Sequence, residues 1–281
     1  MKSCVIFSCT ILTEDRLFVL HRFLQIFESK FSNYDIFIGI NHVSLSCVED
    51  IIRTYNINVI SMDRCLPELY SLSDASAYQI ALKHLYESKK EYENYWFIYT
   101  KSGVNSHSDY LREWYIDNLL SKSTDVETFI NSNNDIGSYG MLGLEYESHI
   151  NYENTNCEIN LMSNILSNQL PCTHANFFYI HTIYVINNKP IKNFFKLISP
   201  NWFTNKLDRY YFEGVFPFIV SRSGYFPYLE NRFSCSFNDL HPYIERWINS
   251  NNLENYKKYL NLFKTNFIFQ QECPPYVNSN T

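Results

Sequence analysis

The residues best placed to do chemistry lie in one stretch, Tyr95-Trp96-Phe97-Ile98-Tyr99-Thr100-Lys101-Ser102-Gly103, followed by Arg112-Glu113-Trp114. Thr100, Lys101 and Ser102 set two hydroxyls and a cation in a turn that leads toward a predicted helix start. Unpaired N–H groups at such a start, together with a lysine, attract an anion such as a diphosphate. A solvated lysine in an ordinary turn is the other reading of the same residues. The stretch is not a Walker loop, because the G-x-x-x-x-G-K pattern is missing. Further along, Glu213 has Tyr210, Tyr211 and Phe212 before it and Phe216 and Phe218 after it. Burial among aromatics raises a carboxyl pKa and suits it to take a proton from a hydroxyl. A plain ion pair with Arg209, four residues earlier, is the alternative. Asn176 precedes Phe177, Phe178 and Tyr179 and either orients a hydroxyl or simply makes a turn. Two spaced acidic pairs stand out. Glu91-Tyr92-Glu93 precedes the aromatic run and reads as a solvated face, whereas Glu145-Tyr146-Glu147 is a candidate for holding a metal.

These groups need elements to position them. Val5–Leu12 reads as a buried strand, Asp15–Phe31 as a helix and Tyr34–Ile40 as a second strand ending at Asn41-His42. A short helix over Glu49–Tyr55, a strand over Asn58–Met62 and a helix over Ser73–Ser88 follow, with Ser71 three residues before Asp74 as a capping-box-like start. Tyr95–Tyr99 is the fourth strand, and a helix runs from Asp109 to Leu120. Alternation of this kind predicts an α/β sheet with parallel pairing. Ligands of such sheets sit beyond the carboxyl ends of the strands, which directs attention to the loops after Leu12, Ile40, Met62 and Tyr99. Thr10, Asn41, His42 and Thr100 fall at these ends. Asp74 either caps its helix or reaches a ligand. Beyond residue 125, Ile136–Leu144 reads as strand and turn, residues 145–170 as a polar insert, and Ala175–Ile186 as an apolar segment with strand character. Tyr210–Val220 reads as a helix broken by Pro217, and Tyr243–Ile248 and Leu253–Phe263 as two terminal helices. The expected organisation is a main domain over 1–235 and a helical tail over 236–281.

Composition narrows the function. The chain has 281 residues, of which 46% are hydrophobic and 19% charged, so disorder and coiled coil are excluded. A net charge of −6 without any basic run speaks against nucleic acid and polybasic membrane anchors. No stretch reaches 18 apolar residues, so no transmembrane segment is expected. The eight cysteines contain no C-x-x-C pair, and Cys4 and Cys9 read as reduced, buried thiols. Met1–Phe7 runs on into Thr13-Glu14-Asp15-Arg16 without a small-residue cleavage site, so it reads as a strand, not a leader. None of the asparagines lies in an N-x-Ser/Thr sequon. Reduced thiols and unglycosylated asparagines together point to a cytoplasmic protein.

A resemblance sharpens the expectation. Tyr99–Gly103 with Arg112-Glu113-Trp114, then His174-Ala175-Asn176-Phe177-Phe178-Tyr179, then Asp208-Arg209-Tyr210-Tyr211-Phe212-Glu213, resemble in order and spacing the segments of rhamnan-synthesis-type and related viral and bacterial glycosyltransferases. Ser102 splits the usual K-G pair, and Ala175 stands where glycine is common. The resemblance covers roughly residues 60–230 and implies a GT-A-like (Rossmann-like) mixed sheet flanked by helices. It also implies an enzyme that moves a sugar from a nucleotide-sugar donor to a hydroxyl of a glycan acceptor, in glycan biosynthesis. On that reading Thr10, Asn41, His42, Asp74, Thr100, Lys101, Ser102 and Arg112 bind the donor, while His174, Asn176 and Arg209 bind the acceptor. Glu213 and Lys101 carry catalysis. GT-A enzymes usually hold the diphosphate through a metal on D-x-D, a pattern this chain does not contain. A divalent ion, Mn or Mg, therefore stays open beside charge neutralisation by Lys101, Arg112, His107 or Arg209. The alternative function is a non-catalytic module that binds carbohydrate or a nucleotide-sugar on a GT-A-like fold. The terminal helices would offer a surface for a homo-oligomer.

Overall fold

The computed structural model describes residues 2–69, 74–100, 109, 112–113, 115–117, 119–134, 136–141, 143–145, 177–179, 183–198, 203 and 226–230. Four six-residue strands open the chain: β1 (Cys4–Cys9), β2 (Asp35–Ile40), β3 (Val59–Arg64) and β4 (Asn94–Tyr99). All residues of β1, β2 and β4 are buried, as expected of parallel strands covered on both faces. β1 pairs in parallel with β2 on one side and with β4 on the other, and β2 pairs in parallel with β3. Helices α1 (Leu17–Lys30), α2 (Val48–Arg53) and α3 (Asp74–Ser88) connect them.

With β5 (Ile136–Met141), β8 (Tyr184–Asn187) and β9 (Phe226–Glu230), the described residues form a sheet of seven strands in the order β3-β2-β1-β4-β8-β5-β9. β8 runs antiparallel to both β4 and β5, and β9 is parallel to β5. A separate two-stranded sheet joins β6 (Gly143–Glu145) and β7 (Phe177–Tyr179). The protein is thus an α/β fold with a mixed, Rossmann-like sheet. Two further helices, α4 (Ser123–Ser132) and α5 (Asn188–Leu197), lie beyond the sequence reading, which assigned neither. The terminal helices expected over Tyr243–Ile248 and Leu253–Phe263 lie outside the described residues, as do residues 146–170 and Tyr210–Val220.

Handedness explains the layering. The chain moves outward from β1 to β2 to β3, then returns across β1 to β4. Right-handed crossovers therefore place the third helix on the opposite face from the first. Phe7 meets Phe23 and Phe27 of α1, with ring centroids at 5.9 and 4.9 Å. Trp96 lies on the same face, its indole N–H donating to Glu127 of α4 at 2.7 Å. Phe97 faces the other way, toward Tyr78 of α3 at 5.8 Å and stacked on Tyr184 of β8 at 5.0 Å. Beneath α3 the sequence supplies Gly39. A Cβ there would stand 1.7 Å from the backbone oxygen of Ala77, so only glycine lets the helix approach β2 this closely.

At the amino ends of the strands, the buried Asp35 carboxylate accepts from Lys2, Lys90 at 3.1 Å, the Tyr92 hydroxyl at 2.7 Å and Asn58 at 2.7 Å. Burial pushes its pKa up, and the hydrogen bonds from Lys2, Tyr92 and Lys90 outweigh that push, leaving it at about 2. The tie joins residues from the segments that begin β1, β2, β3 and β4.

Candidate functional site

The return of the chain from β3 to β4 makes β1 and β4 the point where strand order reverses, the crevice position at which open α/β sheets take ligands beyond the carboxyl ends of their strands. Two threonines tie the strand ends together there. The Thr10 N–H donates to Thr100 Oγ1 at 3.0 Å, the Thr100 hydroxyl donates to Thr10 O at 3.1 Å, and the Thr100 N–H donates to Ser8 O at 3.1 Å. Thr10 Oγ1 is itself buried without a hydrogen-bond partner.

The loop after β2 is braced just as fully. The Asn41 N–H donates to Cys9 O at 2.8 Å, and its side-chain amide donates to Ser76 Oγ of α3 at 3.3 Å. Ser44 Oγ accepts the Ile11 N–H at 3.2 Å, and Ile11 O accepts the Leu45 N–H at 2.9 Å. Arg64, at the end of β3, donates to Ser44 O at 2.8 Å and Leu45 O at 2.7 Å while forking onto Glu49 of α2. The pair moves both groups in the expected directions: Arg64 holds the Glu49 carboxyl below its usual range, and Glu49 raises Arg64. The His42 N–H points to the thiol of Cys65 at 3.2 Å, and the imidazole Nδ1 lies 4.0 Å from the same sulfur.

Charge gathers one layer out. Arg16, in the 3₁₀ turn Glu14–Arg16 that follows the loop after β1, donates to Asp109 Oδ1 at 2.6 Å. Arg112 donates to the same oxygen at 3.0 Å, and its Nε reaches Glu113 at 3.4 Å. Both guanidiniums lie over the ring of Phe18, at 5.9 and 5.2 Å. Glu113 is shared with Arg22 of α1 at 3.0 Å.

Thr10, Asn41, His42 and Thr100 therefore come together at the crevice, as their places at strand ends predict. Thr10, Asn41 and Thr100 are buried there and hold the loops to one another. Arg112 is buried in an ion cluster. Asp74 opens α3. Lys101, Ser102, His107, His174, Asn176, Arg209 and Glu213 lie outside the described residues. Arg16, Ser44, Arg64, Ser76 and Asp109 escaped sequence reasoning. For Arg16 a signal existed, since a cation just after the first strand falls on the ligand side of the sheet. Among the described residues no three His, Cys, Asp or Glu side chains gather as a metal cage, and no helix is long and apolar enough to cross a membrane.

The fold defines a class: an α/β protein with a mixed, Rossmann-like sheet whose strand order reverses between β1 and β4. No protein-family model and no curated protein matches the chain.

Proposed function

We propose that the protein is a nucleotide-sugar-dependent glycosyltransferase of GT-A type, transferring a sugar to a glycan hydroxyl. The observation that carries the reading is the strand order. A parallel unit β3-β2-β1-β4 is extended by one reversed strand, which is the mixed sheet that the resemblance implies, and its crevice collects Thr10, Asn41, His42 and Thr100. In this reading the described groups form a rigid frame for the donor. Buried hydrogen bonds fix the loops after β1 and β2 and the carboxyl end of β4, so the diphosphate meets a frame that needs little reordering there. Lys101 neutralises leaving-group charge, and Glu213 activates or orients the acceptor hydroxyl.

The test is a thermal-shift screen of UDP, GDP, CDP and ADP, with and without manganese, followed by turnover of the corresponding nucleotide-sugars. A ligand that binds only the folded state raises its melting temperature. The reading expects one nucleotide to stabilise the protein and its sugar conjugate to be consumed. Stabilisation without turnover on any acceptor leaves the binding module; no stabilisation by any nucleotide removes both.

A further inference from the structure

The described arginines at the crevice are unevenly matched. Arg112 is 1% exposed and Arg16 9%, yet both converge on one oxygen of Asp109, whose side chain is 37% exposed. The cations are thus the buried members and the carboxylate the one that solvent reaches. Taking two guanidiniums out of water is costly, and one shared oxygen offsets only part of that cost. The remaining partners are poor. Arg112 reaches Glu113 at 3.4 Å, a carboxylate already bound by Arg22. Among the described residues Arg16 Nε is buried without a hydrogen bond, with an Asp15 carboxylate oxygen 3.7 Å away. Arg16 follows β1 and Arg112 follows β4, so the pair straddles the point where strand order reverses.

We propose that Arg16 and Arg112 form a diphosphate-binding pair and that Asp109 is a built-in competitor which the incoming anion displaces. This rests on the reading of the protein as nucleotide-sugar dependent and adds regulation to that site. A diphosphate presents several acceptor oxygens to two planar donor forks, where Asp109 presents one. Displaced, Asp109 turns into water at modest cost, being already part-exposed. The resting ion cluster keeps the arginines oriented when no donor is bound, and ligand exchange replaces one anion by another without leaving a buried cation unpaired.

Calorimetric titration of inorganic pyrophosphate, UDP and GDP into wild type, Asp109→Asn and Arg16→Gln tests this, with the melting temperature of each variant measured alongside. Asn keeps the shape and an acceptor oxygen while removing the competing charge. Diphosphate affinity should rise about fivefold in Asp109→Asn, the size of one part-exposed charge pair, and fall at least about tenfold in Arg16→Gln. Nucleoside diphosphates that bind wild type and both variants alike, or bind Asp109→Asn more weakly, overturn the competitor and leave the transferase reading intact. Pyrophosphate that binds and tightens in Asp109→Asn, with no nucleoside diphosphate held better, keeps the site and removes the nucleotide reading. Binding of none of the probes to any variant overturns both. Should Asp109→Asn lose cooperative melting, an unchanged affinity in Arg16→Gln is sufficient to overturn the proposal.

Discussion

Replacing Gly39 by alanine tests how the fold holds the crevice. The added methyl would lie 1.7 Å from Ala77 O and 2.7 Å from Ile80 Cγ2. Reaching even 3.0 Å from the carbonyl requires α3 to retreat by about 1.3 Å, and the obstacle is backbone, so no side-chain rotation relieves it. Overpacking a tight core typically costs about 1–3 kcal/mol. Here the helix also carries Ser76 away from Asn41, weakening a buried hydrogen bond worth about 1 kcal/mol. A loss near 3 kcal/mol lowers the melting temperature of a chain this size by roughly 6–12 °C. Urea denaturation followed by circular dichroism measures it. Because the clash is with a carbonyl oxygen, adding Ala77→Gly should not restore stability. A Gly39→Ala protein that melts within a degree of wild type, or a double variant that recovers, refutes the close-approach account.

Three further outcomes follow. Thr100→Val leaves the buried Thr10 N–H without its acceptor and should cost about 1–3 kcal/mol in urea denaturation, with Thr100→Ser recovering most of it. Asp35 has its pKa lowered from 3.8 to about 2 by its donors despite burial, so its contribution of about 2 kcal/mol is fully present above about pH 5 and fades as pH falls toward 2; Asp35→Asn should flatten that acid limb of the stability–pH curve, and an unchanged limb refutes the assignment. Glu213→Gln should lower acceptor transfer by about 10²–10⁴-fold with nucleotide affinity intact, whereas near-wild-type turnover in a folded variant removes Glu213 from catalysis.

The first hundred residues were legible because parallel strands buried on both faces are continuous apolar runs. Tyr34–Ile40 and Tyr95–Tyr99 match β2 and β4 to within one residue, while Val5–Leu12 overruns the end of β1 at Cys9 by three. β3 was read two residues short, since Asp63 and Arg64 break its apolar run. They are tolerated because β3 is an edge strand and only partly buried. β9 was missed because Pro227 argues against a strand, yet the outer edge of the sheet accepts it. α4 buries only Ser123, Val126 and Ile130, too thin a stripe to mark a helix. α5 had its signal in plain view: Asn187 caps it by accepting the Lys189 N–H, and Pro190 occupies its first turn. The crevice was legible only by position. Strand ends pointed to Thr10, Asn41, His42 and Thr100, but the Arg16–Asp109 pair spans 93 positions and arises only when β1 and β4 become neighbours.

The two ends of the sheet use carboxylates to opposite effect. Asp35 and Asp109 each receive more than one cation, but Asp35 has a side chain 8% exposed and is surrounded by neutral donors as well as lysines. Removing its charge strands several groups at once, so it acts as a permanent tie for the segments that begin β1 to β4. Asp109 is far more open to water and sits on cations that are themselves enclosed. There the charge demand belongs to the arginines, and any anion of suitable geometry can meet it. The proposed exchange depends on this contrast: Asp35 ties the segments that begin the strands, while Asp109, open to water, is the carboxylate that a diphosphate would replace.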